Sequence, residues 1–162
     1  GAELGHMVIE KDGRPCSCGR NGCWESYSSA TGLVNMTKDK LSECHSTGRE
    51  TLMDKIVAKN EGRISGKTAF SAMKSGDAAA TEVVEDYIDY LACGLTNILR
   101  IFQPDVLSIG GGICNEGDNL LVPLKKKIDE MLHLPDYAKK TEIKIAEMGN
   151  DAGIIGAATL GM

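Results

Sequence analysis

At 162 residues, 42% hydrophobic and 25% charged, the chain is one ordinary domain or a large piece of a bigger one, with enough apolar material for a packed core. That balance excludes a disordered segment, and the formal net charge of -5 leaves no overall positive field to hold a nucleic-acid backbone or an anionic membrane. No apolar run approaches the ~20 residues that span a bilayer, and no charged-then-apolar leader is expected at the start, so the chain reads as soluble.

The chain opens at Gly1 rather than at a methionine, and its informative residues, Glu3 and His6, come at once. It is therefore expected to be a fragment that shares its site with residues upstream. Residues 6–10 read as a short strand, and Lys11-Asp12-Gly13 as a turn. The segment Cys16-Ser17-Cys18-Gly19-Arg20-Asn21-Gly22-Cys23 follows, three of the chain's six cysteines within eight residues. Cys16 and Cys18 are too close to bridge one another comfortably, and a secreted disulfide scaffold would spread its pairs. Close-set thiols separated by glycines instead make a tight knuckle whose sulfurs converge, which is what a tetrahedral Zn²⁺ needs. The fourth ligand must come from elsewhere: His6 is ten residues upstream of Cys16, while Cys44 and His45 compete from a polar stretch that reads as a loop. Cys44, Cys93 and Cys114 stand singly and read as ordinary structural thiols.

From Ser28 to about Leu41 the pattern is helical, with Ser28 or Ser29 as the cap, and residues 42–50 read as a loop containing Gly48. Thr51 to Ala58 gives a second helix. Residues 62–66 break it, Ser65 caps a helix over Lys67–Lys74, and Ser75-Gly76-Asp77 ends that one. Val84, Ile88, Leu91, Leu95, Ile98 and Phe102 recur at steps of four and three, an apolar stripe on a helix from about Ala78 to Phe102. Gln103-Pro104 stops it. Val106–Ile109 is a short buried-type strand that runs into Gly110-Gly111-Gly112, followed by a helix from about Asp118 to Leu132. A strand over Glu142–Glu147 leads through Gly149-Asn150-Asp151 into a last helix, Ala152–Leu160. This alternation is α/β, and ligands of such sheets sit beyond the carboxyl ends of the strands. Three glycines there let the backbone approach a flat or phosphorylated ligand, although neither a dinucleotide fingerprint nor a P-loop lysine is present.

Glu3-Leu4-Gly5-His6 followed by Cys16-x-Cys18-Gly19-x-x-Gly22-Cys23-x-Glu25 resembles the signature of the ROK family of bacterial sugar kinases, sugar-responsive repressors and open reading frames. Ser29-Ala30-Thr31, Gln103-Pro104-Asp105, Gly110-Gly111-Gly112 and the run from Asn150 to Ala158 extend the likeness to essentially the whole chain, which in wording is most similar to the family's glucokinases. Ala2 departs from it, since glycine is common there. The resemblance implies the C-terminal lobe of an actin-like (ribonuclease H-like) sugar-kinase fold: a zinc knuckle at about 6–25, a helical region at about 28–102 and a nucleotide-side region at about 103–162, with the N-terminal lobe missing. It implies structural Zn²⁺ on His6, Cys16, Cys18 and Cys23, sugar contacts from Glu3, His6 and Glu25, and a nucleotide wall at Gly110, Gly111 and Gly112.

The implied activity is ATP-dependent phosphorylation of a hexose, glucose first, with Mg²⁺, in a cytoplasmic and homo-oligomeric enzyme. The family's catalytic aspartate and phosphate loops lie upstream of the segment matching Glu3, so no catalytic residue is expected between Gly1 and Met162 and the fragment alone should be inert. Asp151 reads as a helix cap and Asp105 as a residue leading into a strand. The alternative is the effector domain of a sugar-responsive repressor carrying a DNA-binding segment upstream. A free-standing nucleic-acid zinc module is disfavoured by the negative charge and by Arg20 being the single basic residue of the knuckle.

Overall fold

A computed structural model describes residues 2–135, 138–147 and 151–160. The helices are α1 (Glu25–Ser28), α2 (Ala30–Thr47), α3 (Leu52–Lys59), α4 (Lys67–Lys74), α5 (Ala78–Phe102), α6 (Asp118–Leu132) and α7 (Ala152–Thr159), and the strands are β1 (Val106–Ile109) and β2 (Glu142–Ile145). The mixture of helix and strand matches the expected class. No helix among the described residues is long and apolar enough to cross a membrane.

The long helix α5 organises the packing, with α1, α2, α4 and α6 all laid against it. Its apolar stripe is buried at Val84, Ile88, Leu91 and Leu95, as the periodicity requires. The stripe then shifts. Leu99 takes the last buried position, Ile98 is half-buried, and Phe102 at the helix end is 58% exposed, so the expectation that Phe102 belongs to the core is wrong. Asp77 starts α5 by accepting the Ala80 N–H at 2.8 Å, and its other oxygen accepts from Thr51 Oγ1 at 2.8 Å and from the Leu52 N–H. One carboxylate thus serves the amino ends of α3 and α5 together. Ser29 caps α2, accepting from the Gly32 N–H at 3.0 Å, and Ser65 Oγ accepts from the Lys67 N–H at 3.3 Å.

Three expectations are corrected. Residues 42–47 are helical, because α2 runs on to Thr47, where Leu41 and Cys44 hold its buried face and the polar residues between them point outward; Gly48, at φ 69°, ends the helix with its N–H on the Cys44 carbonyl. Residues 6–10 form no strand: Leu4–His6 is a 3-10 turn, and Val8 makes a single bridge to Cys23. The helix expected from Ser28 is two, since Ser29 is extended and separates the short α1 from α2.

β1 and β2 pair in parallel, Val106 with Glu142 through Ile109 with Ile145, joined through α6 packed on α5. The second strand ends at Ile145 rather than Glu147. Gly110 to Gly112 stand exposed at the carboxyl end of β1, ahead of a 3-10 turn over Gly112–Glu116. Gly149 and Asn150 of the expected last turn lie outside the described residues. Asp151 precedes α7 without a capping hydrogen bond from its side chain, and Ile154 on that helix and Leu160 just past its end are largely exposed.

Candidate metal and sugar site

The knuckle is built by two short antiparallel stretches of backbone. Ile9 N–H donates to the Gly22 carbonyl at 2.9 Å and Trp24 N–H to the Met7 carbonyl at 2.8 Å, while Gly22 N–H reaches the Arg14 carbonyl at 2.8 Å and Cys16 N–H the Arg20 carbonyl at 2.8 Å. Gly22 permits the crossing. It has φ 78°, and a Cβ there would stand 1.7 Å from the Glu10 carbonyl oxygen.

These bonds draw the side chains of His6, Cys16, Cys18 and Cys23 together, with all four ligand atoms within 4.8 Å of one another. Cys16 Sγ lies 3.4 Å from His6 Nδ1, and Cys18 Sγ 3.6 Å from Cys23 Sγ. A tetrahedron with zinc–sulfur bonds of about 2.3 Å and zinc–nitrogen bonds of about 2.0 Å has edges of roughly 3.5–3.8 Å, so the donor set fits Zn²⁺ in both chemistry and spacing. Neither competitor joins it. Cys44 is buried in α2, and His45 Nε2 is bonded to Asp54 Oδ1 at 2.8 Å across α2 and α3.

Two carboxylates flank the histidine. Glu25 Oε1 is 3.5 Å from His6 Nδ1 and 3.1 Å from both Cys16 Sγ and Ser17 Oγ, while Glu3 Oε2 is 3.9 Å from His6 Nε2. The hydrogen bonds from Cys16 and Ser17 hold the Glu25 carboxyl below its ordinary range. The backbone N–H and guanidinium of Arg20 bring the Cys18 thiol down to about 6, whereas burial pushes the Cys23 thiol up to about 11. His6 thus presents one ring nitrogen to the sulfurs and the other to Glu3. A cavity of about 490 Å³ opens beside Glu25, lined among others by Arg14, Ser17, Thr31 and Asn35. A further cavity of about 610 Å³, at the amino ends of β1 and β2, takes in none of these groups.

The knuckle is fastened to α5 through aromatic side chains. Trp24 Nε1 donates to the Tyr90 carbonyl at 2.9 Å, the Tyr27 and Tyr90 rings stack at 4.3 Å, and Tyr87 Oη donates to the Ser28 carbonyl at 2.9 Å. Tyr27 Oη in turn accepts from the Arg14 N–H at 2.7 Å. Gly94 makes room for the indole.

Residues 1–162 match the ROK family over their whole length. The chain belongs to the ROK family. This ROK chain is 37% identical to a glucokinase of Halalkalibacterium halodurans over 98% of its own length and 46% of the relative's. It superposes with a TM-score of 0.82 and 29% identity on the crystal structure of a ROK glucokinase from Streptomyces griseus in complex with glucose and AMPPNP, covering 98% of this chain and 50% of that one. A xylose repressor of Bacillus spizizenii is 24% identical over 98% of this chain and 36% of the repressor. The ROK chain therefore spans about half the length of the glucokinases it matches.

Sequence reasoning brought His6, Cys16, Cys18, Cys23, Glu3 and Glu25 to one place, and the structure assembles the same six. It missed Ser17 as a donor to Glu25 and Arg20 as a donor to His6, because a side chain's hydrogen-bond partner follows from the path of the loop and not from its residue type. The aromatic anchors carried a signal that went unread: Trp24 directly follows Cys23, and Tyr87 and Tyr90 sit one helical turn apart on α5.

Proposed function

We propose that this ROK chain is the C-terminal half of an ATP-dependent hexose kinase of glucokinase type. It supplies a structural zinc site, the carboxylates that hold the sugar and a wall for the nucleotide. The observation that carries the reading is the convergence of three thiols and two carboxylates around His6, with Glu25 beside the Nδ1 that faces the sulfurs and Glu3 beside Nε2.

His6 Nδ1, Cys16, Cys18 and Cys23 would hold the zinc, which when bound fills its four positions with protein ligands and so serves structure rather than water activation. The protein's own residues do the recognition. With Nδ1 engaged, His6 keeps its Nε2 proton as a donor of fixed tautomer. Glu3 and Glu25 are acceptors, each able to take two hydroxyl protons through charge-assisted bonds about twice as strong as neutral ones. A neutral polyol such as glucose requires that mixture of aimed donors and acceptors. Gly110, Gly111 and Gly112, exposed at the carboxyl end of β1, suit the adenosine of ATP because no side chain blocks the approach.

In the transfer itself, the sugar 6-hydroxyl attacks the γ-phosphorus of Mg²⁺-bound ATP, its proton passes to a carboxylate, and ADP leaves. We assign that carboxylate and the phosphate loops to the part of the relatives' length that this chain does not cover. Asp105 is engaged by Lys139, and Asp151 stands exposed before α7, and neither is assigned that role. A cytoplasmic homo-oligomer goes with this reading. The repressor alternative shares the fold, but the sugar-kinase relative is the more similar at 37% identity against 24%.

The test is ATP-dependent phosphorylation of glucose by the full-length protein, followed by coupled NADPH formation, with no turnover by the 162-residue chain alone. A full-length protein that binds operator DNA, releases it on adding sugar and transfers no phosphate would refute the kinase reading.

A further inference from the structure

Arg20 is the one basic side chain between Cys16 and Cys23, and it holds two of the segments that must meet. Its guanidinium Nη2 donates to the His6 carbonyl at 2.6 Å, and its own carbonyl accepts the Cys16 N–H at 2.8 Å. His6 is otherwise fixed at its amino side by its N–H on the Glu3 carbonyl at 3.0 Å, with Met7 paired to Trp24 beyond it. Arg20 therefore closes the one side of the His6 peptide that the backbone ladder leaves open. Charge adds a second reason. Three thiolates around a divalent ion leave one net negative charge, and Glu25 and Glu3 lie 3.5 Å and 3.9 Å from the same imidazole. Among the described residues, Arg20 is the cation that hydrogen bonds into this cluster, and a guanidinium suits it because it carries several donors in one rigid plane and never loses its charge.

We propose that Arg20 is a positioning residue for the metal: by holding the His6 carbonyl it directs Nδ1 at the three sulfurs, and by its charge it offsets the anionic surround, so that it raises the chain's affinity for Zn²⁺. This rests on the zinc reading of the knuckle. Groups that orient a metal ligand without touching the ion commonly change affinity ten- to hundredfold.

The experiment is competition for Zn²⁺ between the 162-residue chain and a chromophoric chelator, at fixed pH and salt. Arg20→Met is expected to weaken zinc binding by about ten- to hundredfold, and Arg20→Lys to recover part of it, keeping the charge without the planar fork. Substitution with Co²⁺ should give the same thiolate-to-metal absorption in all three, and the zinc-free chains should melt together, because the Arg20 side chain is exposed. An Arg20→Met chain whose Kd stays within about threefold of the parent overturns the proposal and leaves the metal reading standing. A loss matched by an equal fall in zinc-free melting, with no recovery in Arg20→Lys, makes Arg20 merely structural and overturns it too. A parent chain that holds no zinc sinks the metal reading itself, and the proposal with it.

Discussion

Replacing Gly94 with alanine sets two general rules against each other. Alanine is favoured over glycine inside a helix by about 1 kcal/mol, so propensity alone predicts a more stable protein. The structure predicts the reverse. A Cβ at position 94 would lie 2.1 Å from Trp24 Cε2 and 2.3 Å from Cδ2 and Nε1. Ordinary contact begins near 3.4 Å, so the indole must retreat by more than an ångström. That movement takes Nε1 away from the Tyr90 carbonyl, now 2.9 Å distant. Overpacking a fitted interior costs about 1–3 kcal/mol and a lost hydrogen bond about 1 kcal/mol, against the ~1 kcal/mol gained in the helix. The balance is a loss of about 2 kcal/mol, which for a domain of this size lowers Tm by roughly 4–8 °C. Circular dichroism melting measures it, and fluorescence of Trp24, the chain's single tryptophan, should report the displaced ring. A Gly94→Ala chain that melts higher than the parent would show that Trp24 is not held against α5.

Three further outcomes are expected. Cys18→Ser should release zinc and lower Tm together, since metal binding and folding are coupled; metal loss by elemental analysis with unchanged melting would refute a structural ion. In the full-length protein, Glu25→Gln should raise KM for glucose far more than KM for ATP, and equal effects would remove Glu25 from the sugar site. Asp77→Asn should cost about 1–2 kcal/mol at neutral pH, because an amide cannot accept from Ala80, Leu52 and Thr51 together. Burial of Asp77 disfavours its charge, but those donors outweigh it and set its folded pKa below the ordinary 3.8. The contribution is therefore fully present above that value and lost as the pH falls through the folded pKa, so the gap in denaturant midpoint between parent and variant should close in acid; a constant gap would refute the charged cap.

The helices α3 to α6 were legible because punctuation and period agree: Ser65 opens α4, Ser75-Gly76-Asp77 ends it, Gln103-Pro104 stops α5, and the apolar spacing of α5 is strict from Val84 to Leu95. The caps that Thr51 and Asp77 provide emerge only in the structure. The misreadings fall where composition and packing part company. Residues 42–47 are polar enough to pass for a loop, yet Cys44 alone buries the helical face there. Met7, Val8 and Ile9 have the residue types of a strand, but their partners at residues 22–24 sit in a knuckle too short to make a ladder. The candidate metal cluster was legible because thiols at that spacing can meet in few other ways. Spacing alone left His6, Cys44 and His45 open as the fourth ligand; the family resemblance pointed to His6, and the fold turns Cys44 into the core.

The site's parts hang on one element. Tyr90 and Gly94 of α5 receive Trp24, whose neighbours in the chain are Cys23 and Glu25. Eight residues beyond Gly94 the same helix ends at Phe102, about 12 Å along its axis at 1.5 Å per residue, and the chain passes through Pro104 into β1 and the glycine turn. Glu25, which the proposed function sets against the sugar, and the glycines it sets against the nucleotide are thus both tied to a single rod packed by α2, α4 and α6. The phosphoryl transfer proposed for the full-length protein, which must bring a hydroxyl and a phosphorus into line, would benefit from that arrangement, because an error at either end is not compounded across a flexible joint. On the proposed function, a change at the knuckle's anchor such as Gly94→Ala should raise KM for glucose in the full-length protein through the position of Glu25, although residue 94 packs against Trp24 and not against the cluster itself.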